Sequence, residues 1–185
     1  MVTIPKVSDS LRRINAAAAA AAATDERHRI MLEVYRDHWL AEVRNDVPAV
    51  MATLPPDRVS YRFDGYALFF TGYVEFHTAA EAEALYAGAA ASGLPMAGPF
   101  EQERWAFAHW GMTFEGINTA ILRGSTFKTQ PRPLDPDGLY FARWRSMSSH
   151  PIDVERRLML GEHVFGGGLV SLDEVDEAAV AEMLG

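Results

Sequence analysis

Cysteine is absent from the 185-residue chain. Disulfide staples, thiolate zinc sites, iron–sulfur ligation and thiol nucleophiles are therefore excluded. Long apolar runs are missing too: the longest uninterrupted one is the alanine tract at residues 16–23, far short of the ~20 residues that cross a membrane. Basic charge is scarce and scattered, with 17 Lys and Arg against 25 Asp and Glu and a formal net charge of −8. That is not the electrostatic footprint of a nucleic-acid binder. No membrane and no nucleic-acid partner is expected. The first ten residues include Lys6 and Asp9 and lack the Leu- and Val-rich segment of a secretory signal, so a cytoplasmic location is expected. Phosphate-loop and dinucleotide glycine fingerprints, a Gly-x-Ser-x-Gly elbow and a His-Glu-x-x-His pair do not occur, so no cofactor and no metal ligand set is assigned.

What is present is a globular composition, 49% hydrophobic, in a chain long enough to bury roughly 70% of its unfolded surface in one core or around one pocket. Ser8, Asp9 and Ser10 offer a cap to a helix through the alanine tract, which has high helix propensity but few large side chains, and residues 1–25 read as a peripheral arm. Thr24 and Asp25 offer a second cap before a long amphipathic helix at 26–44, and a short helix at 48–54 stops at Pro55 and Pro56. A small hairpin follows, with strands at 59–63 and 66–71 around Asp64 and Gly65. Thr78 and Glu81 form a capping box for a helix that ends at Gly93. Period-two alternation then begins near Gln102, turns at Trp110 and Gly111 and returns to Arg123. Residues 129–138 read as a proline-rich loop, 139–147 and 157–165 as strands, and Gly166 to Gly168 as a flexible turn. Ser171 and Glu174 form a second capping box before an acidic helix at 171–185. The order of elements argues an α+β domain at 26–170, with helices packed on a curved, mainly antiparallel sheet.

Placed at ~100° per residue, the long helix divides into a charged side with Glu33, Arg36, Asp37 and Arg44 and an apolar side with Met31, Val34, Tyr35, Trp39 and Val43. His38 and Glu42 break the division. They fall one turn apart near the middle of the apolar side, where a charge is costly unless paired or facing a wet cavity. Two readings follow: a satisfied core histidine beside a rim carboxylate, or a histidine oriented by Glu42 and poised to move a proton. Tyr61 could donate to a developing oxyanion or simply pack. His109 shares a strand face with Trp105 and Phe107, and Asn118 on the returning strand could extend that face into a pocket wall. His77 precedes a helix start and could overhang the same pocket. A metal held by His38, His77 and His109 would lack any ligand-spacing motif.

The segment 28–72 carries a helix with His38, Trp39 and Glu42, then Asn45 and Asp46, then Val50, Met51, Ala52, Thr53 and Leu54, then Asp57 and a strand with Tyr61. In this order it resembles the nuclear transport factor 2-like superfamily, which includes SnoaL-like polyketide cyclases, ketosteroid isomerase, scytalone dehydratase and limonene epoxide hydrolase. The resemblance spans residues 27–165 and implies a cone-shaped α+β barrel enclosing an apolar pocket, a homodimer, and acid–base chemistry on an alicyclic or aromatic compound. It places His38 where the isomerase has a tyrosine donor, and Arg62 where that enzyme has its aspartate base. It matches limonene epoxide hydrolase at Arg143 and, with Glu for Asp, at Glu162, but puts Arg145 at the other carboxylate. Tyr61, His77 and His109 resemble the dehydratase set in type. The expected function is a small-molecule enzyme, with His38 as acid or base, Glu42 its orienter, and Tyr61 and His109 polarising a substrate oxygen. Tyr35, Trp39, His77, Trp105, Phe107, Asn118, Arg143 and Glu162 would line the binding site. A non-catalytic binding or dimerising module and a metal-dependent lyase or hydrolase are the alternatives.

Overall fold

The computed structural model describes residues 2–64, 72–127 and 132–185. The alanine tract forms α1 (Val7–Ala22), but Lys6, without a side-chain cap, marks its start. Ser10, expected as a cap, lies buried inside the helix. Its hydroxyl accepts from the Phe100 amide at 2.8 Å and donates to the Phe100 carbonyl at 3.3 Å. Ile14 and Ala18 belong to the main core, Ile14 with no exposed surface. The expected peripheral arm is therefore a packed helix, because one large apolar side chain and one buried hydroxyl anchor it where the alanines cannot.

α2 (Glu26–Val43) is capped by the Asp25 carboxylate, which accepts from the Arg27 amide at 2.8 Å. It ends before Asn45, whose φ of 57° cannot continue a right-handed helix. Asp46 then caps α3 (Val47–Ala52) through the Ala49 amide. β1 (Tyr61–Asp64) pairs antiparallel with β2 (Val74–Phe76), and the strand expected at 66–71 lies outside the described residues. α4 (Ala79–Ala90) opens on the reciprocal Thr78 and Glu81 capping box.

β3 (Phe100–Ala108) and β4 (Gly111–Arg123) form a hairpin, followed by β5 (Leu139–Asp153), β6 (Leu158–Met159), β7 (His163–Val175) and α5 (Glu177–Leu184). Three expectations need correction here. β5 continues past Met147 because Ser146, Ser148 and His150 keep the inward alternation with small and polar side chains. The strand expected at 157–165 is broken at Gly161, whose φ is 136° and where a Cβ would meet the Ser60 carbonyl oxygen at 2.0 Å. The glycines at 166–168 are strand rather than turn: a Cβ at Gly167 would crowd Arg145, beside the point where the β5–β7 register shifts. Ser171 and Glu174 consequently pair with Arg143 and Tyr140 inside β7, and Asp176 is the residue that caps α5.

The sheet order is β2-β1-β7-β5-β4-β3, with β6 beside β5, and it stays open at both edges. Neighbours are antiparallel except β1 and β7, which run parallel. Register shifts in β3 and along β5–β7 mark bulges, which bend strands. The result is the cone-shaped α+β architecture, with a main core between the first four helices and the inward sheet face. α5 closes a smaller core with Ile4, Leu94, Ile121 and Phe141. Among the described residues no helix is long and apolar enough to cross a membrane.

Replacing Ile14 by Ala should destabilise the protein by about 2–4 kcal/mol, read as a lower denaturant midpoint in a single transition. An unchanged midpoint would mean that α1 folds apart from the core.

Candidate active site

Between α2, α4 and the inward sheet face lies a cavity of about 650 Å³. Its walls are mainly aromatic and aliphatic, including Tyr35, Trp39, Phe100, Phe114 and Trp144. The Trp39 indole N–H is spent on the Gly98 carbonyl at 3.0 Å, so its ring presents an apolar surface. Polar groups gather at one end: His38, Glu42 and Tyr86 from the helices, Ser148 and His150 from β5, and Glu162 just before β7. No Lys or Arg lines the cavity among the described residues.

The position of His38 is fixed by a directed chain of hydrogen bonds. Thr53 donates its hydroxyl proton to the Val50 carbonyl at 2.6 Å, so its oxygen accepts from His38 Nδ1, also at 2.6 Å. That assigns the Nδ1–H tautomer and leaves Nε2 as an acceptor for the Tyr86 hydroxyl at 3.0 Å. Tyr86 in turn accepts from Tyr61, again at 3.0 Å. Burial lowers the His38 pKa to about 4, which keeps the ring neutral. Thr53 and Tyr86, rather than Glu42, orient this histidine, since the Glu42 carboxylate stands 3.6 Å from Nε2. Burial likewise raises the phenols of Tyr61 and Tyr86, so both remain donors.

The two carboxyl groups behave oppositely. Burial, reinforced by the negative charge of Glu162, holds Glu42 well above the usual carboxylate range. Burial also pushes Glu162 upward, but the adjacent His150 outweighs it and holds the group below that range. His150 Nδ1 lies 3.4 Å from the Glu162 carboxylate. One oxygen of Glu42, one of Glu162 and a ring nitrogen of His38 all fall within 4.8 Å of one another. These groups could surround a single reacting centre, or a cation.

Of the residues expected at the site, the cavity brings together Tyr35, His38, Trp39, Glu42, Asn118 and Glu162. Tyr61 is wholly buried one hydrogen bond behind it. Five others lie elsewhere. His109 is exposed at the β3–β4 turn, where its carbonyl accepts from Arg27. The His77 side chain is 56% exposed and faces Glu75, because its place before the α4 cap points it outward. Trp105 and Phe107 pack against the main core away from the cavity, with Phe107 stacked on His28 at 4.3 Å. Arg143 has the wrong parity on β5: its inward neighbours are Ala142 and Trp144, while its guanidinium binds Glu101, with Nε at 3.0 Å. Sequence reasoning missed Thr53, Tyr86, Ser148 and His150. The signals were Tyr86 one turn after Ala82 on the buried side of α4, and the continued alternation through Ser146, Ser148 and His150.

No protein-family model matches the sequence, and no curated protein matches it. Solved structures do. A protein named as a SnoaL-like polyketide cyclase from Shewanella putrefaciens superposes with a TM-score of 0.61 at 12% identity, over 90% of each chain. One named as a polyketide cyclase from Xanthomonas campestris gives 0.52 at 8% identity, over 75% of this chain and 91% of that one. SalBIII, an epoxide hydrolase/cyclase-like enzyme with a role in pyran ring formation in the polyether salinomycin, gives 0.51 at 11%, over 78% and 95%. The chain has the nuclear transport factor 2-like fold.

The His38 ring should stay neutral between pH 8 and 6 in a nitrogen-detected NMR titration, with its midpoint near pH 4. A midpoint at the ordinary histidine value would contradict the closed Thr53–His38–Tyr86 chain.

Proposed function

We propose that this chain is a small-molecule enzyme that carries out acid–base chemistry on an uncharged, hydrophobic alicyclic or aromatic compound. The observation that carries this reading is the pair of carboxyl groups at the polar end of an apolar cavity, one driven toward its neutral form and the other held ionised. Two titratable groups pushed apart by their surroundings are an acid and a base at one pH. Glu42 is then the general acid and Glu162 the general base, with His150 supporting its charge. His38 becomes a positioning residue, because both ring nitrogens are occupied. Tyr86 holds Glu42 in place.

This arrangement suits making or opening a cyclic ether. Glu42 delivers a proton to the oxygen of a breaking C–O bond while Glu162 removes one from the attacking hydroxyl, so the substrate gains and loses one proton and solvent later restores both carboxyl groups. The same pair can serve an isomerisation or a dehydration, where a C–H proton leaves to Glu162 and oxygen is protonated by Glu42. The ring-forming role stated for SalBIII and the polyketide cyclase names of the other two structures support this class of reaction.

We also propose a homodimer formed through the outer sheet face. Met147 and Phe165 are cross-strand partners there and are 45% and 44% exposed. A solution mass of one chain at micromolar concentration would overturn it.

Turnover of apolar epoxy-alcohols and β-hydroxy ketones should fall ~10²–10⁴-fold in Glu42→Gln, with binding retained because the amide still fills the site. In the wild type, activity should be lost on the acid side as Glu162 protonates below the usual carboxylate range. On the alkaline side it should be lost as pH rises through the raised pKa of Glu42. Glu42→Gln should abolish the alkaline limb alone, and a variant with an unchanged profile would remove Glu42 from the chemistry.

A further inference from the structure

The polar end of the cavity contains a hydroxyl for which exchange of protons between two carboxyl groups has no use. Ser148 and His150 are two residues apart on β5, so the strand turns both side chains to the same inward face. Ser148 Oγ lies 2.8 Å from His150 Nε2. On the far side of the ring, Nδ1 lies 3.4 Å from the Glu162 carboxylate and has no hydrogen-bond partner of its own. His150 is 2% and Ser148 6% exposed, yet both line the cavity, as does Glu162.

We infer that Ser148, His150 and Glu162 form a nucleophile–base–orienter triad that hydrolyses uncharged carboxylic esters whose apolar part fills the cavity. The order of groups is the one such chemistry requires: hydroxyl on one ring nitrogen, carboxylate on the other. Contacts of this kind are often looser before a substrate closes the site, as the 3.4 Å separation is here. Another Ser–His pair on the chain sharpens the contrast. Ser60 Oγ lies 2.9 Å from His163 Nε2, but neither residue lines the cavity and no carboxylate of the described residues reaches ion-pair distance of His163. Of these two pairs, the Ser148 pair alone combines a carboxylate behind the imidazole with an apolar chamber in front of the hydroxyl.

The steps balance. Ser148 Oγ adds to the ester carbonyl carbon as its proton passes to His150 Nε2, and Glu162 supports the imidazolium. The C–O bond to the alcohol breaks, and that alcohol leaves with the proton from Nε2. Water, giving a proton to His150, then attacks the acyl-serine, and Oγ departs with that proton restored, releasing a carboxylic acid. The absence of Lys and Arg from the described lining sets the specificity: nothing there holds a carboxylate or phosphate, and the negative charge of Glu162 disfavours one. The same repulsion helps expel the acid product.

The test uses the full-length protein with an alkyl fluorophosphonate, followed by intact mass and peptide mapping, and with p-nitrophenyl butyrate. One adduct per chain is expected, on Ser148, with loss of fluoride. Ser148→Ala should lose the adduct and cut ester hydrolysis about 10³-fold, while Ser60→Ala keeps both. No adduct on the wild-type protein, an adduct on another residue, or a Ser148→Ala protein that hydrolyses normally overturns the proposal. The wild-type labelling needs no variant to fold. Ring closure and dehydration are measured on substrates without an ester, so a protein that carries them out but stays unlabelled removes the triad alone.

Discussion

The polar end of the cavity depends on the hydrogen bond between His38 and Thr53. Thr53 has already committed its proton to the carbonyl of Val50, so it can only accept, and that one-way choice propagates through the ring to Tyr86 and Tyr61. A buried polar chain satisfied at every link is rigid, whereas one with a missing link carries the full desolvation cost of the orphaned group. Because His38 lies on α2 and Thr53 caps the C-terminal end of α3, the chain also fixes the angle at which the two helices meet. The Tyr86 hydroxyl beside Glu42 is held by that chain and not by packing alone.

A second constraint is the cost of burying carboxyl groups in an apolar wall. The protein meets it differently for the two residues: Glu42 remains neutral, and Glu162 keeps its charge by lying against His150. Both solutions depend on alternation along β5, which turns Trp144, Ser146, Ser148 and His150 inward and sends Arg143 and Arg145 the other way. Had either arginine faced the cavity, Glu162 would have gained a permanent cation and the difference between the carboxyl groups would have collapsed.

Much of the fold was legible because its signals are local. Capping by Asp25 and by Thr78 with Glu81, the amphipathic period of α2 and the hairpin at Trp110 each need only a few neighbouring residues. His38 and Glu42 were visible for the same reason: a charge on an apolar helix face stands out without knowledge of its partners. What failed depended on distant contacts. The alanine helix is anchored by Ser10 against Phe100, ninety residues away, and composition carries no trace of that bond. The glycines of β7 look like a turn until Arg145 is placed beside Gly167. Arg143 matched by position along the chain but not by strand parity, and His109 lay just beyond the end of the strand that would have aimed it inward.

The parallel pairing of β1 with β7 joins Arg62 to His163, about a hundred residues apart, while the β3–β4 and β4–β5 hairpins close much shorter loops. Loop-closure entropy makes such a junction one of the later ones to form. Glu162 immediately precedes His163, so it reaches the carboxyl of Glu42 only as that junction closes. Until then each acid sits in a wet, half-built interior and ionises like any surface carboxylate. The electrostatic expense of the site thus falls due together with the junction that brings Tyr61, Phe63 and Val164 into the core.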